Sequence, residues 1–263
     1  MNKSLIVLWI LVLTILRGYG KGIMDVENTY KQPPHIVFLI SEDTLNYNAH
    51  ITIPAFAKFL EDSYGYRTSV LLGQGERASY SFSGIEVLSK ADLLVIFCRR
   101  VALPPAQLNT IKKYLKKGKP VIGIRTANHA FSLLEEPAAG FEAWPGFVDS
   151  VLGCKNRGYG PVLPGTEVAV APNVINHPVL KNITPGQWHS NGNVYLVAPL
   201  LDEKSEVLLN GREGENVQPV AWTRQLGQSR VFYTSMGYPD DFSIPQFRQL
   251  LINGIHWALQ MKI

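Results

Sequence analysis

The chain has 263 residues, 46% of them hydrophobic and 17% charged, enough apolar material for one large globular domain and no signature of disorder. Its formal charge is +4; without Lys3 and Arg17, the basic residues of the first twenty positions, the remaining charge is +2. So small an excess gives no footing for nucleic-acid binding.

Lys3 precedes an apolar run, Leu5 to Leu16, broken only by Thr14. The run is too short to span a membrane and matches the apolar core of a secretory signal, with Gly18 and Gly20 as the small residues before a cleavage point. Residues 1–20 therefore read as a signal peptide. An uncleaved anchor is the alternative, because Arg17 follows the run directly. The expected address is secreted or periplasmic, with no stable membrane span after cleavage. Residues 21–34 read as a linker and 35–263 as the folded domain.

Ile36–Ile40 is a continuous apolar run, as a strand buried on both faces should be. Ile53, Phe56, Phe59 and Leu60 recur at helical spacing, with Thr52 as the expected cap and Pro54 in the first turn. Strands are predicted at Arg67–Leu72 and Ala91–Phe97. Pro104-Pro105 opens a helix that buries Leu108, Ile111 and Leu115 and ends at Gly118, and a strand at Pro120–Ile124 follows. Lys112, Lys113, Lys116, Lys117 and Lys119 crowd the end of that helix, where they complement its dipole. From Pro137 to Pro164 proline, glycine and aromatics dominate, which reads as a long ordered loop. Short strands are expected at Val168–Val170, Val194–Val197 and Glu206–Leu209. Val220–Arg224 and Arg230–Thr234 read as a hairpin around Leu226-Gly227. An amphipathic helix from Ile244 to Met261 closes the chain. Cys98 and Cys154 could form one bridge, but Cys98 ends an apolar run and reads as a buried hydrophobe, so none is expected. Strands and helices in alternation predict an α/β fold, a three-layer, doubly wound, mainly parallel sheet with an added hairpin and long loops.

Asp92–Phe97, Pro120–Phe131 and Arg230–Phe242 resemble the trehalose-utilisation (ThuA-like) family, and His177-Pro178 and Val194-Tyr195 fall where that family places similar pairs. The resemblance covers nearly all of residues 35–263. It implies a fold akin to class I glutamine amidotransferases, in which a cysteine on a strand-to-helix turn attacks an amide and a His-Pro-Glu follows later. Here the turn reads Gly123-Ile124-Arg125-Thr126-Ala127 and the later motif Tyr238-Pro239-Asp240, which puts Arg125 and Tyr238 at the nucleophile and histidine positions. An arginine cannot attack an amide, so thioester chemistry is not expected. The resemblance also leads one to expect histidines near Tyr159 and Tyr238 and an acidic pair at Gly192 and Asn193, which this chain lacks.

Ligands in such sheets bind beyond the carboxyl ends of the strands. Glu42 and Asp43 follow the first strand; Asp240 and Asp241 follow the hairpin. Glu42 and Asp240 are the candidate catalytic carboxylates, as an acid–base pair if they face each other, although helix capping accounts for both equally well. Arg99, Arg125 and Thr126, with His129 one turn on, are candidate ligand contacts; a solvated arginine and a structural histidine are the plain alternatives. Trp188, Tyr159 and Tyr238 could form a platform for a sugar ring, or pack as ordinary loop residues, and His189, a loop histidine beside Trp188, is a further candidate ligand contact. No metal site and no cofactor are predicted, a divalent metal on His129 and His189 being left open. The expected partner is a small carbohydrate or sugar derivative, to be bound or processed. The alternative is a non-catalytic binding or assembly module.

Overall fold

The computed structural model describes residues 32–184, 186 and 188–262. The predicted signal peptide lies outside them. Among the described residues nine strands form one sheet: β1 (His35–Ile40), β2 (Arg67–Leu72), β3 (Leu93–Phe97), β4 (Val121–Ile124), β5 (Thr166–Val170), β6 (Trp188–Ser190), β7 (Glu206–Glu213), β8 (Asn216–Leu226) and β9 (Ser229–Thr234). Their order across the sheet is β2-β1-β3-β4-β9-β8-β7-β5-β6. From β2 to β9 every pairing is parallel, and from β9 to β6 every pairing is antiparallel. The sheet is mixed, then, and not mainly parallel as the sequence suggested. The reason is connectivity: after β4 the chain makes no further helical crossover until its end, and strands joined by turns run antiparallel.

Three helices cover the sheet: α1 (Ala49–Tyr64), α2 (Pro105–Lys116) and α3 (Pro245–Ala258). Alternation along β1 divides the core in two. Ile36, Phe38 and Ile40 pack with Ile53 and Leu60 of α1 and with Phe247 and Leu250 of α3. Val37 and Leu39 face the other way, with Leu108 and Ile111 of α2 and with Phe131, Phe147 and Trp222. Three layers result, as expected from a strand buried on both faces.

Local differences from the sequence reading have physical causes. α1 begins four residues earlier than predicted, after Asn48 at φ 53°, so Pro54 lies inside the helix and forgoes one main-chain hydrogen bond. The 137–164 stretch is held by the Leu103–Glu142 bridge and by stacking of Phe131, Trp144 and Phe147. Val194–Val197 forms no strand; Tyr195 makes a single bridge to Tyr159. The three-residue β6 carried no periodic signal. Cys98 and Cys154 are free and buried, and Cys98 Sγ donates to the Leu39 carbonyl at 3.1 Å.

Candidate functional site

The carboxyl ends of β1, β3 and β4 converge on two adjoining features, an open cleft and a closed cage. The cleft, about 510 Å³, is lined by Glu42, Asp43, Arg77, Tyr80, Arg99 and Glu135 among others. Asp43 organises it. Its Oδ2 accepts from Arg77 Nε at 2.7 Å and lies 3.5 Å from Arg99 Nη1, while Oδ1 accepts the Leu45 N–H at 2.8 Å. Burial opposes ionisation of Asp43, but Arg77, the Leu45 N–H and Arg99 outweigh it and hold the carboxyl below the usual range. Glu42 is exposed at the rim, its backbone N–H 3.3 Å from the Tyr80 hydroxyl.

The cage surrounds Arg125. This residue follows β4 directly at φ 44°, a left-handed conformation that costs a non-glycine residue about 1–2 kcal/mol. Its side chain is buried, 1% exposed, with the guanidinium 4.0 Å from the centre of the Tyr47 ring, 4.9 Å from Tyr195 and 5.7 Å from Tyr238. Nη1 donates to the Ser235 carbonyl at 2.8 Å, and Nη2 to Asn193 Oδ1 at 3.0 Å. Nε has no partner, and among the described residues no carboxylate lies within ion-pairing distance of the guanidinium. Three aromatic faces thus do much of what a counter-ion would do for this cation. Gly192 packs against it so closely that a Cβ there would lie 2.8 Å from Nη1. Gly192 and Asn193, where the resemblance led one to expect an acidic pair, both lie against the guanidinium.

Thr126, buried beside Arg125, hydrogen-bonds Asn46 Oδ1, and Asn46 Nδ2 reaches the Ser41 and Phe97 carbonyls at 2.7 and 2.9 Å. This ties the β1, β3 and β4 ends together and carries Tyr47 onto the cage. His129 is 2% exposed, its ring centre 6.2 Å from that of Tyr195; Nδ1 is hydrogen-bonded to Asn128 Oδ1, with Asn156 Nδ2 3.1 Å and the Tyr159 hydroxyl 3.4 Å away. Burial, then the positive charges of Arg100, Arg99 and Arg125, push its pKa down to about 2. The imidazole is neutral at any physiological pH and is no proton donor.

That shift has a measurable consequence. The unfolded imidazole titrates at 6.5, so acidification protonates the unfolded chain and leaves folded His129 neutral. Its contribution to stability is complete above pH 6.5 and is lost as pH falls from there toward 2. At about pH 4.5, two units below 6.5, the loss should be about 3 kcal/mol. Urea unfolding at pH 7 and at pH 4.5 should show the wild type losing that much more than His129→Asn; equal losses would mean that folded His129 takes up a proton.

The remaining sequence candidates separate. Tyr238 joins the cage. Tyr159 is 42% exposed, its ring 4.8 Å from that of Tyr195. His189 pairs with Glu167 at 2.7 Å on edge strand β6, and it is not among the residues that line the cleft. Asp240 is exposed and accepts from Asn191 Nδ2 at 2.8 Å; the cleft lined by Glu42 does not include it. Its neighbour Asp241 is the buried carboxylate, with Oδ2 accepting the N–H groups of Gly237 and Tyr238 at 2.8 and 2.9 Å. Burial raises its pKa, with the Gly237 N–H and Arg125 opposing. Sequence reasoning missed Asn46, Tyr47, Arg77 and Tyr195. Asn46 and Tyr47 carried a signal in their position just past the end of β1, and Tyr195 in the Val194-Tyr195 pair of the family resemblance. Among the described residues no three His, Cys, Asp or Glu side chains converge as a metal centre requires.

The chain is similar in fold to solved structures of low sequence identity. A protein described as ThuA-like from Bacteroides uniformis superposes with a TM-score of 0.63 at 18% identity, over 88% of this chain and 94% of that one. A second such protein, from Parabacteroides merdae, gives 0.63 at 17%, over 87% and 90%. A cytoplasmic protein of Salmonella typhimurium gives 0.54 at 13%, over 86% and 99%. No curated protein matches the sequence significantly. The model of the family described as "Trehalose utilisation" matches residues 37–258, nearly the whole described chain. The chain belongs to the ThuA family.

Proposed function

We propose that the protein is a secreted ThuA-like domain that binds a carbohydrate derivative in the cleft beyond β1 and β3, without glutaminase activity. The observation that carries this reading is the cleft itself. Two guanidiniums and the carboxylates of Glu42, Asp43 and Glu135 line a volume of about 510 Å³ at the ligand-binding end of the sheet. A polyol needs acceptors and donors interleaved at short range, which this lining supplies. The family's description supports a sugar ligand, and the Leu5–Leu16 run supports secretion. Arg125 stands directly after β4 where an amidotransferase would carry its nucleophile, which argues against amide hydrolysis. An acid–base pair of Glu42 and Asp240 finds no support, because Asp240 lies outside the cleft. Asp43, held ionised between two arginines, suits ligand positioning better than proton donation.

Calorimetric titration with neutral sugars and sugar acids tests this. Arg99→Ala should weaken the best ligand about tenfold, the worth of one charge-assisted hydrogen bond, while Asp240→Ala leaves it unchanged. Absence of saturable binding across both classes at millimolar ligand would sink the proposal.

A further inference from the structure

α2 runs from the carboxyl end of β3 to the amino end of β4, so its last turns lie at the end of the sheet remote from the cleft. There a groove of about 530 Å³ opens between α2 and the helical turn Ile85–Lys90. Leu88 and Tyr114 lie beneath it, and Lys113, Lys116, Lys117 and Lys119 line its wall, opposite a single acid, Glu86. Tyr114 is fixed by its hydroxyl, which donates to the Pro120 carbonyl at 2.7 Å. Lys119 Nζ bonds the Ala91 carbonyl. A second, shallower groove of about 410 Å³ continues over the other side of α2, past Leu115, Trp144 and Leu226, with Lys116 lining both.

Complementing a helix dipole accounts for one or two lysines in a last turn. Five within eight residues repel one another, and among the described residues none of them has a carboxylate within 4.0 Å. Lys113, Lys116 and Lys117 are exposed and extend beside apolar surface. Leu88 and Tyr114 are themselves buried, so the floor above them is carbon surface of the lining side chains, chiefly lysine stems, under uncompensated positive charge. A flat membrane would meet the lysines but leave the floor unfilled.

We propose that this groove docks an acidic segment of a partner protein, its carboxylates on Lys113, Lys116 and Lys117 and an apolar side chain between them over Leu88 and Tyr114. The interaction is independent of the carbohydrate cleft. Its electrostatic share makes it salt-sensitive, and its apolar share distinguishes it from a bare polyanion site.

The test uses a fluorescein-labelled peptide of alternating Glu and Leu, titrated with the protein and followed by anisotropy. A peptide of alternating Glu and Ser and vesicles rich in phosphatidylglycerol serve as comparisons. The Glu-Leu peptide should bind saturably, more weakly as salt rises, and at least tenfold tighter than the Glu-Ser peptide. The double variants Lys113→Gln/Lys117→Gln and Lys113→Glu/Lys117→Glu should lose at least tenfold, and Lys204→Glu, a charge change elsewhere on the surface, should lose none. Unfolding curves that match the wild type show each variant folded. Equal loss with Lys204→Glu, equal binding of both peptides, lysine-dependent binding to vesicles in preference to peptide, or no saturation would each overturn the proposal.

Discussion

Arg125→Ala is expected to lower the unfolding free energy by about 3–5 kcal/mol, and Arg125→Met by no more than about half of that. Alanine leaves a void ringed by Tyr47, Tyr195 and Tyr238 and strips partners from the Ser235 carbonyl and Asn193 Oδ1. Each orphaned buried acceptor costs about 1–3 kcal/mol, and the cavity adds to it. Methionine orphans the same acceptors but fills the space, and it removes a buried cation that has no carboxylate partner. The desolvation cost of that cation disappears with it. Both replacements keep the left-handed backbone at φ 44°, so that strain cancels in the comparison. Urea unfolding of the three proteins decides the point. If methionine costs as much as alanine, the guanidinium's contacts with the rings stabilise the fold by more than its burial costs.

The second large effect lies beneath the cage. Trp222, fully buried on β8, donates its indole N–H to the Leu152 carbonyl at 2.9 Å and packs against Tyr233 with ring centres 4.4 Å apart and planes tilted by 41°. Tyr233 in turn donates to the Arg125 carbonyl at 2.7 Å. Trp222→Ala should cost about 3–5 kcal/mol, from cavity and lost transfer energy together. Trp222→Phe should recover most of this and leave the unpaired Leu152 carbonyl as the residual, about 1–3 kcal/mol. Denaturant midpoints with unchanged slopes check this; a phenylalanine variant as unstable as the alanine variant would mean that the hydrogen bond, not the packing, dominates.

Much of this architecture was legible from periodicity. Ile36–Ile40, Ala91–Phe97 and Pro120–Ile124 are mostly apolar runs too short for helices, and α2 and α3 follow from their apolar spacing. What could not be read was the sense of pairing. A strand's own pattern reports its burial, and Glu206–Glu213 looks the same beside a parallel or an antiparallel neighbour. The site was legible only in part. Arg125 could be singled out because the resemblance placed it on a turn, whereas its tyrosine cage draws on three segments 43 residues or more apart. Adjacent acids were the hardest to separate: Asp240 and Asp241 are alike in sequence, and only the path of the chain after Gly237 sends one to solvent and the other inward.

The placement of β9 bears on how the molecule is made. Val121 of β4 pairs with Val231 of β9, across 110 residues, and every strand from β5 to β8 lies between them in sequence. Until that late strand is synthesised, β4 offers an open row of backbone donors and acceptors at one edge of an incomplete sheet. Closing so long an intervening stretch is slow in entropic terms, and no local contact can substitute for it. The Arg125 cage depends on the same event, because Ser235 and Tyr238 follow β9 directly. The segment that returns to β4 after this long excursion is therefore the part that both seals the sheet and completes the cage.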